Sequence, residues 1–323
     1  MSSEIGVAVW GIGRHAARRL LPAIVQTRGI RLVGICTRDS ERGGAKAAEL
    51  GCDYFATSER MLGDERVSAV ILATPTGLHF EHGLRVIEGG KHLWCEKPLT
   101  HSYGTTCRLF DRAAERGVMA VTALMYKYHP QFLELRRLVQ GGTLGDLRAL
   151  SIRFGIPALE SATFRGEPQL GGGALLDFSS YLLSAVYQLF DKPPKLQCAG
   201  LWTLAPSRAD TDGWAVLEHD NAVIDCAWGY RRAYRNALEV WGTEGSLHVD
   251  RVFTKESDYE STLVRYDQRG TAGAVVRTGP ANAFCAMLEA FAGRLGDADF
   301  QATERAETEW CARVAEQIAS SSR

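Results

Sequence analysis

A glycine motif between a strand and a helix constrains the fold of this chain most. Residues Ile5 to Trp10 form a short apolar run typical of a strand, and Gly11-Ile-Gly-Arg-His-Ala16 follows it directly. This is the G-x-G-x-x-A form of the dinucleotide-binding fingerprint, and the context between a strand and a helix supports it. A helix from about Arg14 to Gln26 would offer N–H groups to phosphates. The predicted cofactor-binding residues of this loop are Gly11, Ile12, Gly13, Arg14 and His15.

The end of the second strand indicates which dinucleotide binds. Arg31 to Ile35 is an apolar run, and Thr37 and Arg38 follow it closely. An NAD site usually has a carboxylate there that binds the ribose 2′-hydroxyl, whereas a hydroxyl and a guanidinium suit a 2′-phosphate. Asp39 comes next and keeps NAD as an alternative. The sequence therefore favours NADP over NAD.

Helical and strand patterns alternate up to about residue 122, which predicts a parallel, doubly wound sheet. The predicted strands are Val67–Ala73, Lys91–Cys95 and Val118–Ala123, and the predicted helices are Glu41–Leu50, His79–Glu88 and Ser102–Arg116. Ligands of such sheets lie outside the carboxyl ends of the strands. Besides the groups already named, the candidates at these ends are Ala73, Thr74, Pro75, Glu96 and Lys97.

The second half of the chain has a different pattern. Several β-type segments lack regular intervening helices, which predicts a large, predominantly antiparallel open sheet. These segments are Leu147–Phe154, Leu196–Leu204, Trp214–Glu218, Ala222–Trp228, Ala237–Trp241, Ser246–Val249 and Leu263–Tyr266. The last helices are predicted at about Ala283–Leu295 and Ala302–Ser320, the latter with a core stripe of Ala306, Trp310, Val314 and Ile318. The predicted fold class is α/β. Residues 1–122 form a Rossmann domain that binds NAD(P), and residues 123–323 form an α/β domain for substrate binding and oligomerisation. The C-terminal helix is a candidate to pack back on the first domain.

Two segments carry candidate catalytic groups. Lys97, in the run Trp94-Cys-Glu-Lys-Pro98, follows a strand end and is expected beside a nicotinamide ring. Asp177 and Tyr181 lie four residues apart on a helix after Gly171-Gly-Gly173, so they share one helix face. A tyrosine can act as a general acid when a neighbouring ammonium lowers its pKa. An aspartate cap and a packed core tyrosine would give the same pattern.

Composition excludes several classes of partner. The chain has 323 residues and a net charge of -1, which gives no electrostatic case for nucleic acid or an acidic membrane. No apolar stretch is long enough to span a bilayer, and no signal-peptide h-region is recognisable. The eight cysteines are scattered without a C-x-x-C pair, which disfavours zinc and redox sites and predicts a cytoplasmic location. His79 and His82 stand on a helix after a nucleotide loop, so no metal is expected.

Together these motifs resemble those of the Gfo/Idh/MocA oxidoreductases, and the resemblance covers essentially the whole length. The segments that carry it are Gly11–Ala16, Ala73–His82, Gly90–Pro98 and Gly171–Tyr181. The resemblance implies a Rossmann domain and an antiparallel sheet that forms a homodimer or homotetramer. It also implies that Lys97, Asp177 and Tyr181 line the active site, that His79 borders the nicotinamide and that Arg165 approaches the cofactor. Many members have a histidine where this chain has Tyr181.

Later segments resemble the nucleotide-sugar 3-ketoreductases of deoxysugar biosynthesis within that family. They are Tyr234–Asn236, Val240–Gly242 and Val249–Thr254, and the resemblance implies that Tyr234 and Thr254 lie near the sugar. The predicted reaction transfers a hydride from NADPH to a ketone carbon while Tyr181 protonates the alkoxide and Lys97 holds the carbonyl oxygen. Two alternatives stand beside it: a dehydrogenase of free sugars, polyols or dihydrodiols, and a non-catalytic regulator that senses NAD(P). Retention of both Lys97 and Tyr181 argues against the regulator.

Overall fold

The computed structural model describes residues 4–158, 164–203 and 209–321. The chain divides into two compact units, one comprising Met1–Leu124 and Phe284–Glu309, the other Met125–Ala283 and Trp310–Arg323. Among the described residues, no helix combines the length and the apolar character needed to cross a bilayer.

The first unit contains a parallel sheet of six strands within the described residues, in the order β3-β2-β1-β4-β5-β6. The strands are β1 Ile5–Trp10, β2 Ile30–Cys36, β3 Asp53–Phe55, β4 Ala69–Leu72, β5 His92–Glu96 and β6 Ala120–Ala123. Every residue of β4 and β6 is buried, as expected for strands that are covered on both faces. The predicted parallel, doubly wound sheet is confirmed. The three-residue strand β3 was not predicted.

Helices connect these strands. They are α1 Leu21–Gln26, which continues from a π-helical turn at Ala16–Leu20, then α2 Ser40–Leu50, α3 Ser58–Leu62, α4 His79–Glu88 and α5 Tyr103–Glu115. Three of them begin with a side-chain cap, because Asp39, Thr57 and Ser102 each accept a backbone N–H from the residue three positions on. These caps fix where each helix leaves its strand, and so fix the strand-end loops.

The second unit contains a sheet of eight strands within the described residues, in the order β14-β13-β12-β11-β7-β10-β9-β8. The strands are β7 Leu147–Gly155, β8 Lys195–Trp202, β9 Asp212–His219, β10 Ala222–Gly229, β11 Arg235–Gly242, β12 Gly245–Asp250, β13 Ser261–Tyr266 and β14 Ala272–Thr278. All neighbours pair antiparallel except β7 and β10, which pair parallel. The predicted antiparallel open sheet is confirmed. Leu204, the predicted end of one strand, lies outside the described residues.

Two helices of this unit, α6 Pro130–Gln140 and α7 Ala174–Leu189, pack against the sheet. Most of α7 is buried, including Phe178, Tyr181 and Leu182. Along β11, buried and exposed residues alternate near its end, so one face of the sheet meets the helices and the other carries exposed Trp241. Helix α6 was not predicted, although Pro130 stands at its first turn and His129 caps it.

The last helices are α8 Ala283–Gly293 and α9 Ala298–Ser321. Val314 and Ile318 of α9 are buried, as predicted, but Ala306 is exposed, so the predicted stripe is wrong at its first position. A strict four-residue repeat drifts about 40° around a helix at each step, because the turn holds 3.6 residues. The buried line instead runs through Glu304, Glu307 and Cys311 to Val314 and Ile318.

Candidate functional site

The glycine loop after β1 has the geometry of a nucleotide cradle. Gly11 has φ +100°, and a Cβ there would lie 2.7 Å from the Ala73 carbonyl oxygen, so the turn itself requires glycine. A Cβ on Gly13 would meet no atom within 4 Å. The protein alone therefore does not require glycine at position 13, whereas a closely approaching ligand would. Ala16 is buried against the sheet, and the first N–H groups of the helix have no intrahelical partner.

The loop after β2 contains the residues that distinguish an NADP site from an NAD site. Asp39 Oδ1 accepts the Arg42 backbone N–H at 3.0 Å and caps α2. Thr37 is partly buried and Arg38 is exposed. In the part of the chain that is described, no side chain or carbonyl hydrogen-bonds the Arg38 guanidinium. The carboxylate is engaged by its own helix, and the guanidinium is available to an anion.

His79 links the loops that follow β4 and β5. Its ring is 1% exposed, with Nδ1 2.8 Å from the Pro98 carbonyl oxygen and Nε2 2.8 Å from the Thr74 carbonyl oxygen. Burial lowers the pKa of His79 despite these two acceptors and the nearby Glu96. Both ring nitrogens therefore face backbone carbonyls, and the side chain fixes Thr74 and the segment of Lys97 and Pro98 at one edge of the sheet.

Glu96 and Lys97 end strand β5. Glu96 Oε1 lies 3.5 Å from His15 Nε2, and it has no hydrogen-bond partner among the described residues. Burial raises the pKa of Glu96, but His15, Lys97 and His79 more than offset this effect, and the net direction is downward. The group is thus an ionised acceptor at the sheet edge. Lys97 is partly buried beside it, and the Lys97–Pro98 peptide is cis.

These strand ends fit a nicotinamide dinucleotide. A buried acceptor such as Glu96 Oε1 suits a ribose hydroxyl, which is a donor, and the open cradle at Gly13 suits a pyrophosphate. The first unit places all of the residues predicted at its strand ends along one edge of the sheet. Their contacts with a cofactor stay predictions. Within the described residues, no group of three or more His, Cys, Asp and Glu side chains is placed to hold a metal ion.

The second unit positions its candidate residues on α7. The helix starts after Gly173, whose φ is +121° and whose side-chain space is filled by the Asp210 carboxylate. Asp210 Oδ2 accepts the Leu175 N–H at 2.6 Å, and the Asp210 carbonyl accepts the Ala174 N–H at 2.9 Å. Asp210 therefore holds the first turn of α7, and Asp177 is not needed as its cap.

Two donors converge on Asp177. Arg165 Nε donates to Asp177 Oδ2 at 2.6 Å, and the Tyr230 hydroxyl donates to the same oxygen at 3.0 Å. Burial, followed by the Asp177 carboxylate, raises the pKa of Tyr230 well above its ordinary value. Burial lowers the pKa of Arg165, but neighbouring groups, the Asp177 carboxylate foremost, together raise it by more, so the pKa of Arg165 lies above its ordinary value. Arg165 and Asp177, both predicted, are thus brought together, and Tyr230 is a partner that the sequence did not reveal.

Tyr181 lies in an aromatic cluster one turn beyond Asp177. Its ring is 6% exposed and packs within 6.1 Å, centroid to centroid, of Tyr126, Phe154 and Phe253. Its hydroxyl is 3.7 Å from Met125 Sδ, a weak acceptor. The packing against these three rings fixes the orientation of the Tyr181 ring.

Asn236 brings the two predicted substrate residues together. Its side-chain amide donates to Thr254 Oγ1 at 3.0 Å and approaches the Tyr234 hydroxyl at 3.4 Å, while its Oδ1 accepts the Phe253 N–H. Asn236 is 2% exposed, whereas Tyr234 is 44% exposed. The buried amide therefore sets the position of the partly buried Thr254 hydroxyl and of the exposed Tyr234 phenol. Asn236 stands in the predicted Tyr234–Asn236 segment, but its linking role was not predicted.

Comparisons with known proteins assign parts of both units to the same family. Residues 5–124 match the family model for oxidoreductases with an NAD-binding Rossmann fold, and residues 132–248 match the model of the GFO/IDH/MocA C-terminal domain. A dTDP-3,4-didehydro-2,6-dideoxy-alpha-D-glucose 3-reductase from Saccharopolyspora spinosa is 30% identical over 271 residues, which cover 84% of this chain and 81% of the relative. A relative with the same name from Streptomyces violaceoruber is 32% identical and covers 80% of this chain, with 76% of its own length matched.

A solved structure extends the similarity to nearly the full length. It is a 3-ketoreductase from Actinomadura kijaniata in complex with NADP and TDP-benzene. It matches with a TM-score of 0.94 and 26% identity, and the match covers 99% of this chain and 98% of that protein.

Proposed function

This chain belongs to the GFO/IDH/MocA family of oxidoreductases, and from that premise we propose that it is an NADPH-dependent sugar ketoreductase. Its substrate in this proposal is a deoxysugar that is linked to a nucleoside diphosphate and carries a ketone at carbon 3. The predicted membership of the family is confirmed by the family models and by the relatives at 30% identity or more.

One observation carries the proposal. The similarity to the dTDP-sugar 3-reductases covers 84% of this chain, so it extends beyond the cofactor-binding half that many oxidoreductases have in common. The 3-ketoreductase structure with NADP and TDP-benzene adds a neighbour that matches over 99% of this chain. Substrate identity is a property of the second unit, and its similarity is what favours a nucleotide-linked sugar.

The charges at the strand ends support NADPH as the cofactor. When bound, NADPH supplies the hydride that reduces the ketone. Arg38 is exposed after β2 and suits a 2′-phosphate, whereas Asp39 is engaged as a helix cap and competes poorly for a ribose hydroxyl. The glycine loop from Gly11 to His15 would hold the pyrophosphate, and Ala73, Thr74, Pro75, His79 and Glu96 would border the nicotinamide half.

We assign the proton chemistry to Lys97 and Tyr181. As the ketone oxygen gains charge, the Lys97 ammonium would hold it and stabilise the developing alkoxide. The Tyr181 hydroxyl would donate its proton to that oxygen, and the ammonium would stabilise the tyrosinate that remains. General acid help of this kind contributes about 10²–10⁴-fold to the rate.

The remaining predicted residues would bind and orient. Asp177, fixed by Arg165 and Tyr230, would present a carboxylate of constant orientation to the nicotinamide end of the cofactor. Tyr234 and Thr254, which Asn236 positions, would contact the sugar. In functional terms, we propose residues 1–122 as the cofactor domain and residues 123–323 as the substrate and oligomerisation domain.

The second sheet supports assembly into a homodimer or homotetramer. Trp241 on β11 and Val223 on β10 are 60% and 53% exposed, and both lie beside Ala149 of β7 in the register of the sheet. An apolar row on an open sheet face is typical of an interaction surface. The eight cysteines are free thiols, which supports a cytoplasmic location.

The test follows the oxidation of NADPH and of NADH by absorbance with purified protein. The panel contains a dTDP-linked 3-keto dideoxysugar, the same sugar without its nucleotide, and free sugars, polyols and dihydrodiols. We expect turnover of the nucleotide-linked ketone with NADPH, and a lower kcat/KM when the nucleotide is removed, because remote binding energy is lost. Turnover of free sugars or diols alone would replace the proposal by the second alternative.

Variants separate catalysis from folding. Tyr181→Phe and Lys97→Met should lower kcat by about 10²-fold or more while the affinity for NADPH is kept. Tyr187→Phe, on the same helix but outside the candidate site, is the matched control and should retain full activity. Full activity of the Lys97 variant would remove Lys97 from the proposed chemistry. Tight binding of NADPH without turnover of any panel member would contradict the proposed ketoreductase activity.

A further inference from the structure

We infer that the imidazole of His82 binds the 2′-phosphate of NADPH together with Arg38, so that the preference for NADPH over NADH increases as the pH falls. This inference rests on the cofactor assigned under the proposed function. His82 belongs neither to the glycine loop nor to the predicted set of cofactor contacts, and the reaction proposed above does not use it.

The His82 ring is held at the edge of the sheet where dinucleotides bind. It lies in the first turn of α4 and stacks on Trp10, with centroids 4.2 Å apart and the planes 12° from parallel. Its Nδ1 lies 3.3 Å from Thr74 Oγ1. Trp10 ends β1 and Thr74 follows β4, so the ring stands over the carboxyl ends of two adjacent strands.

The ring also has a nitrogen available for a ligand. No other described residue hydrogen-bonds it besides Thr74, so Nε2 remains for an external acceptor. His82 is half-buried rather than enclosed, so a ligand can reach it. Strand β1 lies between β2 and β4, which places the loop of Arg38 on one side of the glycine cradle and the loop of Thr74 on the other. A phosphate on the adenosine ribose would lie between a guanidinium and an imidazole.

The surrounding charges determine the direction of the pH effect. Burial lowers the pKa of His82; Glu81 opposes this effect, while Arg85, His79 and Arg38 reinforce it. Arg85, which also lies 5.3 Å above the Trp10 ring, is itself paired with Glu59 of α3. Without ligand, the ring is therefore neutral near neutral pH, because burial, the largest of these effects, favours the uncharged imidazole and the neighbouring arginines act in the same direction.

A bound 2′-phosphate reverses this balance. It brings negative charge beside the ring and raises the pKa of His82 in the complex above its value in the free protein. Binding then takes up a proton, and by linkage the affinity for NADPH rises as the pH falls through the pKa of the complex. NADH has no 2′-phosphate, so its affinity lacks this contribution. Because the hydrogen bond is charge-assisted, we expect it to change the affinity for NADPH by about tenfold or more.

The experiment measures dissociation constants of NADPH and NADH by fluorescence between about pH 6 and pH 8, on the unmodified protein and on His82→Gln. Glutamine keeps a polar side chain that does not titrate. The 2′-phosphate of free NADPH titrates near pH 6, as phosphate monoesters do, but this titration is the same whichever protein is added. We expect the ratio of the NADH constant to the NADPH constant to rise about tenfold more in the unmodified protein than in His82→Gln on going from pH 8 to pH 6.

Two controls make the outcome specific. His101→Gln removes an exposed histidine of the same unit and should leave the pH profile of the unmodified protein unchanged. The imidazole resonances, assigned by their loss in His82→Gln, should show a higher pKa for His82 when 2′,5′-ADP is added. Parallel pH profiles of the unmodified protein and His82→Gln, or an unchanged titration with 2′,5′-ADP, would overturn the role of His82.

Failure of the cofactor assignment would look different. An Arg38→Ala variant that loses its NADPH preference, combined with parallel His82 profiles, would keep the proposed cofactor and reject His82 alone. Equal affinity for NADPH and NADH at every pH in the unmodified protein would reject both.

Discussion

Tyr230 provides the sharpest test of how Asp177 is held. Replacing it by phenylalanine keeps the ring, which lies 5.3 Å from Phe178, and removes only the hydroxyl. That hydroxyl has one proton, directed at Asp177 Oδ2 at 3.0 Å and at the Gly173 carbonyl at 3.3 Å, so one hydrogen bond is lost. A buried hydrogen bond to a charged group contributes about 1.5–3 kcal/mol. Since Tyr230 is 7% exposed, water cannot readily replace the donor, and we expect a loss of about 2 kcal/mol in the free energy of unfolding.

Tyr126→Phe is the matched control for this variant. Tyr126 is a fully buried tyrosine of the same unit, and its hydroxyl bonds Ser184 Oγ at 2.6 Å. That partner is neutral, so the expected loss is about 0.5–1.5 kcal/mol. Urea unfolding followed by tryptophan fluorescence measures both variants in the transition of the same unit.

The comparison of the two variants decides the outcome. If Tyr230→Phe loses no more stability than Tyr126→Phe, the charge on Asp177 contributes nothing to the bond and the reasoning fails. If the loss is larger as expected, kcat should fall as well, because Asp177 Oδ2 loses one of the donors that orient it.

Three further outcomes are expected. Gly11→Ala should abolish NADPH binding in a fluorescence titration and lower stability, because its Cβ would press on the Ala73 carbonyl at a positive φ. His129 is fully buried and burial lowers its pKa to about 4, so the unfolded chain takes up a proton from about pH 6.5 downward while the folded protein does not. The free energy of unfolding should therefore fall by about 3 kcal/mol between pH 6.5 and pH 4, and His129→Asn, which can still cap Gln131, should lose this dependence in urea titrations. Asp210→Ala should lose about 1 kcal/mol or more in urea unfolding, because the first turn of α7 loses its cap, whereas Asp210→Asn should retain part of it.

The sequence predicted the first sheet well because its signals are local. The strands β1, β2, β4 and β5 are each a short apolar run, and a helix with its own capping residue or glycine follows each of them. Such patterns can be recognised without knowing which distant residues the strand contacts. Strand β3 is three residues long and pairs only with β2, so no periodicity could indicate it. Strand β14 is mostly exposed, which removes the alternation that marks a half-buried strand.

The candidate site was predicted in part for the same reason. Residues at strand ends could be found from their position alone, because parallel strands end at one edge of the sheet. The residues that fix the orientation of the site residues could not be found in this way. Tyr230 lies 53 positions from Asp177, and Asp210 lies 35 positions from Leu175, so no local pattern connects them. The boundary predicted between domains at residue 122 and the roles of Lys97 and Tyr181 stay predictions.

Asp39 illustrates what a sequence leaves open and a structure resolves. A carboxylate just after the second strand can bind a ribose hydroxyl or begin the next helix, and both uses place it at the same position. In this protein Asp39 Oδ1 accepts the Arg42 N–H, so turning the carboxylate toward a ribose would break the cap of α2. Losing such a cap costs about 0.5–2 kcal/mol, which offsets most of what one hydrogen bond to a ribose would contribute. Arg38 has no such competing commitment among the described residues. The proposed preference for a 2′-phosphate therefore rests as much on the helix α2 that engages Asp39 as on Arg38.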